Sequence, residues 1–110
     1  MNTIIRPVIV CLCGSTKFKD EFILANKQET MKGKIVLSVG LFGHADNIRL
    51  TDEDKEKLDE LHLRKIDIAD EVLILNVKGY IGNSTLKELR YAYYKDKKIR
   101  FLEKGYTYGM

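Results

Sequence analysis

The feature that most constrains the fold is an alternation of two kinds of segment along the chain. Short runs rich in β-branched and apolar residues are separated by charged stretches of helical length. The apolar runs are PVIVCLC (7–13), KIVLSVG (34–40), EVLILNV (71–77) and KKIRFLE (97–103), and the charged stretches are 17–31, 51–68 and 85–95. The order β-α-β-α-β-α-β predicts a parallel sheet with right-handed crossovers.

The first and third apolar runs are apolar almost throughout, which is typical of central strands covered on both faces. We therefore expect an α/β protein with a single domain over residues 1–110. Its predicted architecture is a three-layer α/β/α, flavodoxin-like (Rossmann-like) parallel sheet of four to five strands. The expected strand order is 2-1-3-4, with the tail as the source of any fifth strand.

Charge and cysteine content narrow the function classes. The formal net charge is +3, and the lysines alternate with acids, which does not suggest a nucleic-acid polymer as partner. No apolar run reaches the ~20 residues that span a bilayer, so we expect a cytoplasmic protein with no membrane partner. Cys11 and Cys13 are too close for an ordinary disulfide, and the sequence shows no further zinc ligands beside them. We read them as buried residues and expect no metal and no cofactor.

Ligands of such sheets bind beyond the carboxyl ends of the strands, where the strand order reverses. Three loops are thereby selected: CGSTK, GLFGHADN and GYIGNST. In the first, Gly14 allows close backbone approach, and Ser15 and Thr16 precede a helix N-terminus that favours a phosphate or sugar hydroxyl. Alternatively, Ser15 only caps the helix. The run lacks the Walker and dinucleotide-binding patterns.

The second loop offers Phe42 for stacking on a base, with His44 or Asp46 to hydrogen-bond it; alternatively it is a surface loop leading to a helix cap at Thr51. On the following helix, His62 shares a face with apolar residues, namely Leu58, Leu61, Ile66 and Ala69. It is either a satisfied core histidine or, at the rim of a crevice, a general acid/base.

The third loop leads to Glu88. Thr85 and Glu88 have the spacing of a capping box, which explains both without catalysis. That interpretation does not explain Gly79, Gly82 and Ser84. Glu88 also lies where it could face a ligand. Because glutamine could keep such a box, Glu88→Gln is expected to lower stability by less than ~1 kcal/mol.

The motifs CGSTKF, LHLRKIDIADEVLILN and GYIGNSTLKELRYA together resemble the nucleoside 2-deoxyribosyltransferase-like proteins, which include nucleotide N-glycoside hydrolases. The resemblance is greatest to small bacterial and phage members with a GYIGxSTxxE pattern. It implies a homodimer or larger homo-oligomer that cleaves the bond between base and (deoxy)ribose. It maps the family's nucleophilic glutamate onto Glu88 and its phosphate- or sugar-binding backbone onto Gly82, Ser84, Gly14 and Ser15.

The resemblance also contains a departure, because His62 stands where characterised relatives carry an aspartate that assists the leaving base. We therefore expect His62, or Asp46, to protonate the base. The expected function is cleavage or transfer at the N-glycosidic bond of a nucleoside or nucleotide; the alternatives are a non-catalytic nucleotide-binding or sensing module, and a structural module with a face of Tyr91, Tyr93 and Tyr94. The expected substrate-binding residues are Gly14, Ser15, Thr16, Phe42, His44, Gly82, Asn83, Ser84 and Thr85.

Overall fold

Within residues 6–104, which the computed structural model describes, four parallel strands form one sheet in the order β2-β1-β3-β4. The elements are β1 (Ile9–Cys13), α1 (Lys19–Met31), β2 (Ile35–Leu37), α2 (Asp52–Ile68), β3 (Glu71–Ile74), α3 (Asn83–Tyr94) and β4 (Lys98–Phe101). A short 3₁₀ turn, Val77–Gly79, follows β3. The predicted three-layer, flavodoxin-like α/β fold and its strand order are confirmed. Residues 6–104 contain no fifth strand, and the tail proposed as its source lies mainly outside them.

The strand side chains alternate between two apolar layers, as the pleat of a sheet requires. Val10 and Leu12 of β1 face α1, where Phe22 fills the layer. Cys11 and Cys13 face the opposite side, where α2 and α3 pack. Each central strand is therefore covered on both faces, which explains why the β1 and β3 sequences are apolar almost throughout.

A buried charged cluster ties α1 to the sheet. Glu29 and Glu71 are both buried, and Arg100 of β4 donates a hydrogen bond to each of them. Lys34 Nζ also donates to both carboxylates, at 3.3 and 2.7 Å. The Arg100 and Lys34 partners overcome the effect of burial and lower the pKa of both glutamates, so these carboxylates are structural ion-pair members.

The predicted start of α2 is confirmed. Thr51 Oγ1 accepts from Asp54 N at 3.0 Å, and Thr51 N donates to Asp54 Oδ2 at 3.2 Å, which forms a complete capping box. The apolar face of this helix is narrower than predicted. His62 and Ile66 are buried, whereas Leu61 is half exposed because it lies at the mouth of a cleft.

The other two helix starts differ from the prediction. Ser15 does not cap α1, because its carbonyl accepts from Phe18 N at 3.0 Å in a turn that delays the helix to Lys19. The Thr85–Glu88 capping box is wrong as well. Gly82 is the N-cap of α3, and its carbonyl accepts from Leu86 N at 2.9 Å, so Thr85 and Glu88 both lie inside the helix.

None of the helices in the described part of the chain combines the length and apolar character needed to cross a membrane.

Candidate functional site

A cleft of about 510 Å³ opens at the carboxyl ends of β1 and β3, where the strand order reverses. Its walls come from the loops after β1, β2 and β3, from one side of α2 between Lys55 and Lys65, and from the first half of α3. The volume is in the range of small-molecule sites. The predicted site residues that line it are Gly14, Ser15, Thr16, His44, His62, Gly82, Asn83, Ser84, Thr85 and Glu88.

Two predicted site residues do not line the cleft. The ring of Phe42 packs edge-on against Phe22, with centroids 5.6 Å apart, because it belongs to the apolar layer between α1 and the sheet. Asp46 is exposed, and its carboxylate accepts from Lys19 Nζ at 2.8 Å on α1. The structure therefore does not bring Phe42 to a stacking position or Asp46 to a leaving group in this cleft.

The loop after β1 is fixed by close packing and by one side-chain pair. A Cβ on Gly14 would stand 3.0 Å from Leu75 Cβ and 3.4 Å from the Leu75 carbonyl oxygen, so the glycine lets the ends of β1 and β3 approach. Thr16 Oγ1 accepts from His44 N at 3.3 Å and lies 2.6 Å from His44 Nδ1. These contacts hold the first and second loops together across the cleft.

Tyr80 is a cleft residue that the sequence analysis missed. It follows Lys78 and Gly79, both in the left-handed region with φ of 52° and 80°, and this turn brings the tyrosine back over the cleft. A Cβ on Gly82 would lie 3.2 Å from the Tyr80 hydroxyl, so a side chain there would require the ring to shift by a few tenths of an ångström. Lys17 Nζ stands 3.6 Å from the ring centroid. The tyrosine within GYIG was the available signal.

Glu88 lies in the second turn of α3, is 9% exposed and lines the cleft. The carboxylate is directed at groups of other elements: its Oε1 lies 4.0 Å from His62 Nε2, and it shares a hydrogen bond with the Cys13 thiol. Burial raises the pKa of Glu88 to about 7 against the opposing attraction of His62, and the negative charges of Cys11 and Asp59 contribute in the same direction as burial. A carboxyl group in a cleft whose pKa is raised to near neutral pH is characteristic of functional sites.

His62 of α2 is both a core histidine and a cleft residue. Its Nε2 lies 3.0 Å from the Leu12 carbonyl oxygen, which β2 does not reach because that strand pairs with β1 only as far as Cys11. The same nitrogen is 4.0 Å from Glu88 Oε1. Burial acts to lower the pKa of His62, but the hydrogen bond with Cys11 and the charge of Glu88 outweigh it, so the pKa is raised.

The two cysteines lie directly beneath His62. Cys11 Sγ is 3.5 Å and Cys13 Sγ 3.6 Å from His62 Nε2, and the two sulfurs and a ring nitrogen lie within 4.8 Å of one another. The hydrogen bond between the thiols lowers the pKa of Cys11 and raises that of Cys13. The sequence analysis found too few ligands for a metal here, because the third group comes from a helix about 50 residues away in the chain.

A second hollow, of about 560 Å³, lies between α2 and α3 and also reaches Glu88. Its charged walls are mainly acidic, with Glu53, Glu56, Asp59, Glu60 and Glu88 against Lys57 and Lys87. Asp59 borders both hollows and lies one turn before His62, a spacing that the sequence analysis did not use. Glu88 is thus accessible from the cleft and from this acidic groove.

A scan against protein-family models and a search of curated proteins gave no match for this chain.

Proposed function

We propose that this protein cleaves or transfers the N-glycosidic bond of a nucleoside or nucleotide, with Glu88 at the anomeric carbon. The observation that carries the proposal is the carboxylate of Glu88, which is buried, directed at groups of other elements and open to a cleft of nucleoside size. The motif resemblance to nucleoside 2-deoxyribosyltransferase-like proteins supports the substrate class.

In the proposed reaction, ionised Glu88 attacks the anomeric carbon as the bond between sugar and base breaks. The electron pair of that bond leaves with the base, which takes up a proton. The glycosyl ester on Glu88 is then opened by water in a hydrolase or by a second base in a transferase. Because the pKa of Glu88 is about 7, the rate of this step rises with pH through that value.

The cleft supplies binding groups for the remaining parts of such a substrate. Hydroxyl groups come from Ser15, Thr16 and Ser84. Among the described lining residues, Tyr80 supplies the aromatic ring that would stack on the base, the role that the sequence analysis assigned to Phe42. A 5′-phosphate would rest on N–H groups near Ser15 and Ser84, where the α3 N-terminus adds its partial positive charge.

The group that contacts the leaving base is reassigned in this proposal. The Nε2 atom of His62 already faces the Leu12 carbonyl and the two thiols, so His62 acts on the charge of Glu88 from 4.0 Å. Asp46 points away. Asp59 is the carboxyl group that α2 presents to the cleft, and we assign to it a hydrogen bond to the base.

A second candidate function is nucleotide binding without turnover. It is favoured by one observation: Asp46 lies outside the cleft on Lys19, and the Nε2 atom of His62 is engaged by the Leu12 carbonyl. Under this alternative a nucleotide raises the melting temperature and no base is released.

The test is incubation with a panel of nucleosides and 5′-monophosphates, with released base measured by chromatography. Wild type is expected to release base from at least one substrate, and Glu88→Gln to abolish the release. Glu21→Gln is the matched control, since Glu21 lies on α1 across the sheet from Glu88 and is expected to leave turnover intact. Full turnover in Glu88→Gln would refute the role of Glu88, and binding without release would establish the second candidate.

A further inference from the structure

Three buried groups with metal-binding atoms converge beneath the cleft. Cys11 and Cys13 project from the same face of β1 because they are two residues apart on a strand, and His62 descends onto them from α2. In a tetrahedral zinc site, Zn–S bonds of about 2.3 Å and Zn–N bonds of about 2.0–2.1 Å place sulfur and nitrogen about 3.6 Å apart. The two sulfur-to-nitrogen distances in this cluster are 3.5 and 3.6 Å.

Glu88 completes the set from a fourth direction. Its Oε1 lies 4.0 Å from His62 Nε2, and it reaches the cluster from α3, so ligands come from a strand and two helices that the core holds in place. The acidic groove between α2 and α3 ends at this carboxylate. A cation approaching from solvent would pass carboxylates such as Asp59 and Glu56, which raise its local concentration.

We propose that Cys11, Cys13, His62 and Glu88 form a binding site for a thiophilic divalent cation, with Zn²⁺ as the best fit. Two thiolates and one imidazole are ligands that select zinc over the hard cations Mg²⁺ and Ca²⁺. In the bound state both cysteines coordinate as thiolates, with any thiol proton released to solvent, and neutral His62 carries its proton on Nδ1, so that Nε2 presents a lone pair. The Nε2 hydrogen bond to Leu12 is given up in this step.

Metal binding also has a consequence that rests on the proposed function. A carboxylate bound to zinc is no longer available to attack a sugar, so the occupied site would inhibit base release. The cation would therefore act as a reversible inhibitor of the cleft. Binding itself does not depend on turnover, and the two proposals can fail separately.

The test uses the full chain, reduced and freed of metal by a chelator, and titrated with Co²⁺ and then Zn²⁺. We expect one cobalt ion per chain, a thiolate-to-cobalt charge-transfer absorption, the intense visible bands of tetrahedral cobalt, and displacement by zinc. Cys11→Ser, Cys13→Ser and His62→Gln are expected to weaken binding by more than about 100-fold, beyond the loss caused by removing an outer hydrogen-bond partner. Glu88→Gln keeps three ligands and therefore retains the charge-transfer band with a smaller loss of affinity.

His44→Gln is the matched control, because His44 is the other histidine of the chain and pairs with Thr16 instead of the cysteines. It is expected to bind cobalt like wild type. Circular dichroism verifies that each variant is folded, and cadmium NMR on the wild-type protein reports sulfur ligation without any substitution. A wild type without thiolate bands and without a sulfur-shifted cadmium signal would overturn the proposal, as would a folded Cys13→Ser variant that keeps wild-type affinity.

Discussion

Replacing Glu88 by glutamine is expected to stabilise the protein at neutral and alkaline pH. Burial raises the pKa of this carboxyl group from its ordinary 4.5 to about 7, so ionising it in the folded state is unfavourable. The sequence analysis expected a small loss of stability, on the assumption of a capping box. The structure removes that assumption, because α3 begins at Asn83 and Glu88 serves no cap.

The magnitude follows from linkage between protonation and folding. Each pKa unit between the folded and unfolded states corresponds to about 1.4 kcal/mol, so the rise from 4.5 to about 7 amounts to about 3 kcal/mol. Below pH 4.5 both states are protonated and Glu88 contributes no penalty. Between 4.5 and about 7 the unfolded state loses its proton first, and wild-type stability falls with rising pH; above about 7 the penalty is constant. Glutamine has no charge to desolvate and lacks this slope.

The assay is urea unfolding of wild type, Glu88→Gln and the control Glu21→Gln from about pH 4 to about pH 9, in the presence of a chelator and reductant. The free energies of unfolding of wild type and Glu88→Gln are expected to diverge as pH rises through the window from 4.5 to about 7. Glu21→Gln is expected to run parallel to wild type. A constant difference between wild type and Glu88→Gln, or a variant that is less stable above pH 7, would refute the account of Glu88 as a desolvated carboxylate.

Three further substitutions test the supporting structure by urea unfolding. Thr51→Ala removes the cap of α2 and is expected to cost about 1 kcal/mol; a neutral result would show that the box does not stabilise the helix. Gly14→Ala places a Cβ 3.0 Å from Leu75 Cβ and is expected to cost about 1–3 kcal/mol, with no loss contradicting the close approach. Arg100→Met takes a partner from buried Glu29 and is expected to cost about 3 kcal/mol, while an equally stable variant would show that Lys32 and Lys34 suffice.

The overall topology could be predicted because it depends on patterns spread over whole segments. Buried parallel strands need apolar residues on both faces, and the charged stretches between them have helical length. The element ends were less predictable. The run that forms β3 stays buried through Asn76, yet strand pairing stops at Ile74, and nothing in the apolar pattern marks where a partner strand ends. Ser15 and Thr85 resembled caps by residue type, and the turns before them decided otherwise.

The part of the candidate cleft that could be predicted is the set of three loops that follow the strands. Parallel topology alone brings the three loops to one edge, and Glu88 follows the third of them. Packing between layers determines which side chains face the cleft. Phe42 packs against Phe22, and the turn at Gly79 directs Tyr80 to the rim of the cleft. Such choices between two aromatic residues depend on the shape of the opposite layer, which a single sequence does not encode locally.

The cysteine–histidine cluster illustrates the same limit and connects the two proposals. The strand period places Cys11 and Cys13 on one face of the sheet, and the helical period places His62 on the buried face of α2. Neither period determines the position of α2 along the direction of β1. That offset decides whether the imidazole meets two thiols or only apolar groups. Under the two proposals, a proton, a sugar carbon and a metal ion compete for Glu88, and each can be varied. Raising the pH removes the proton, and a chelator removes the metal. Cys11→Ser also removes a charge that acts on Glu88, so its turnover with zinc is compared with its own metal-free rate, and zinc is expected not to inhibit it. If zinc inhibits wild type and Cys11→Ser equally, the inhibition arises elsewhere, and Glu88 is not the group that the two activities share.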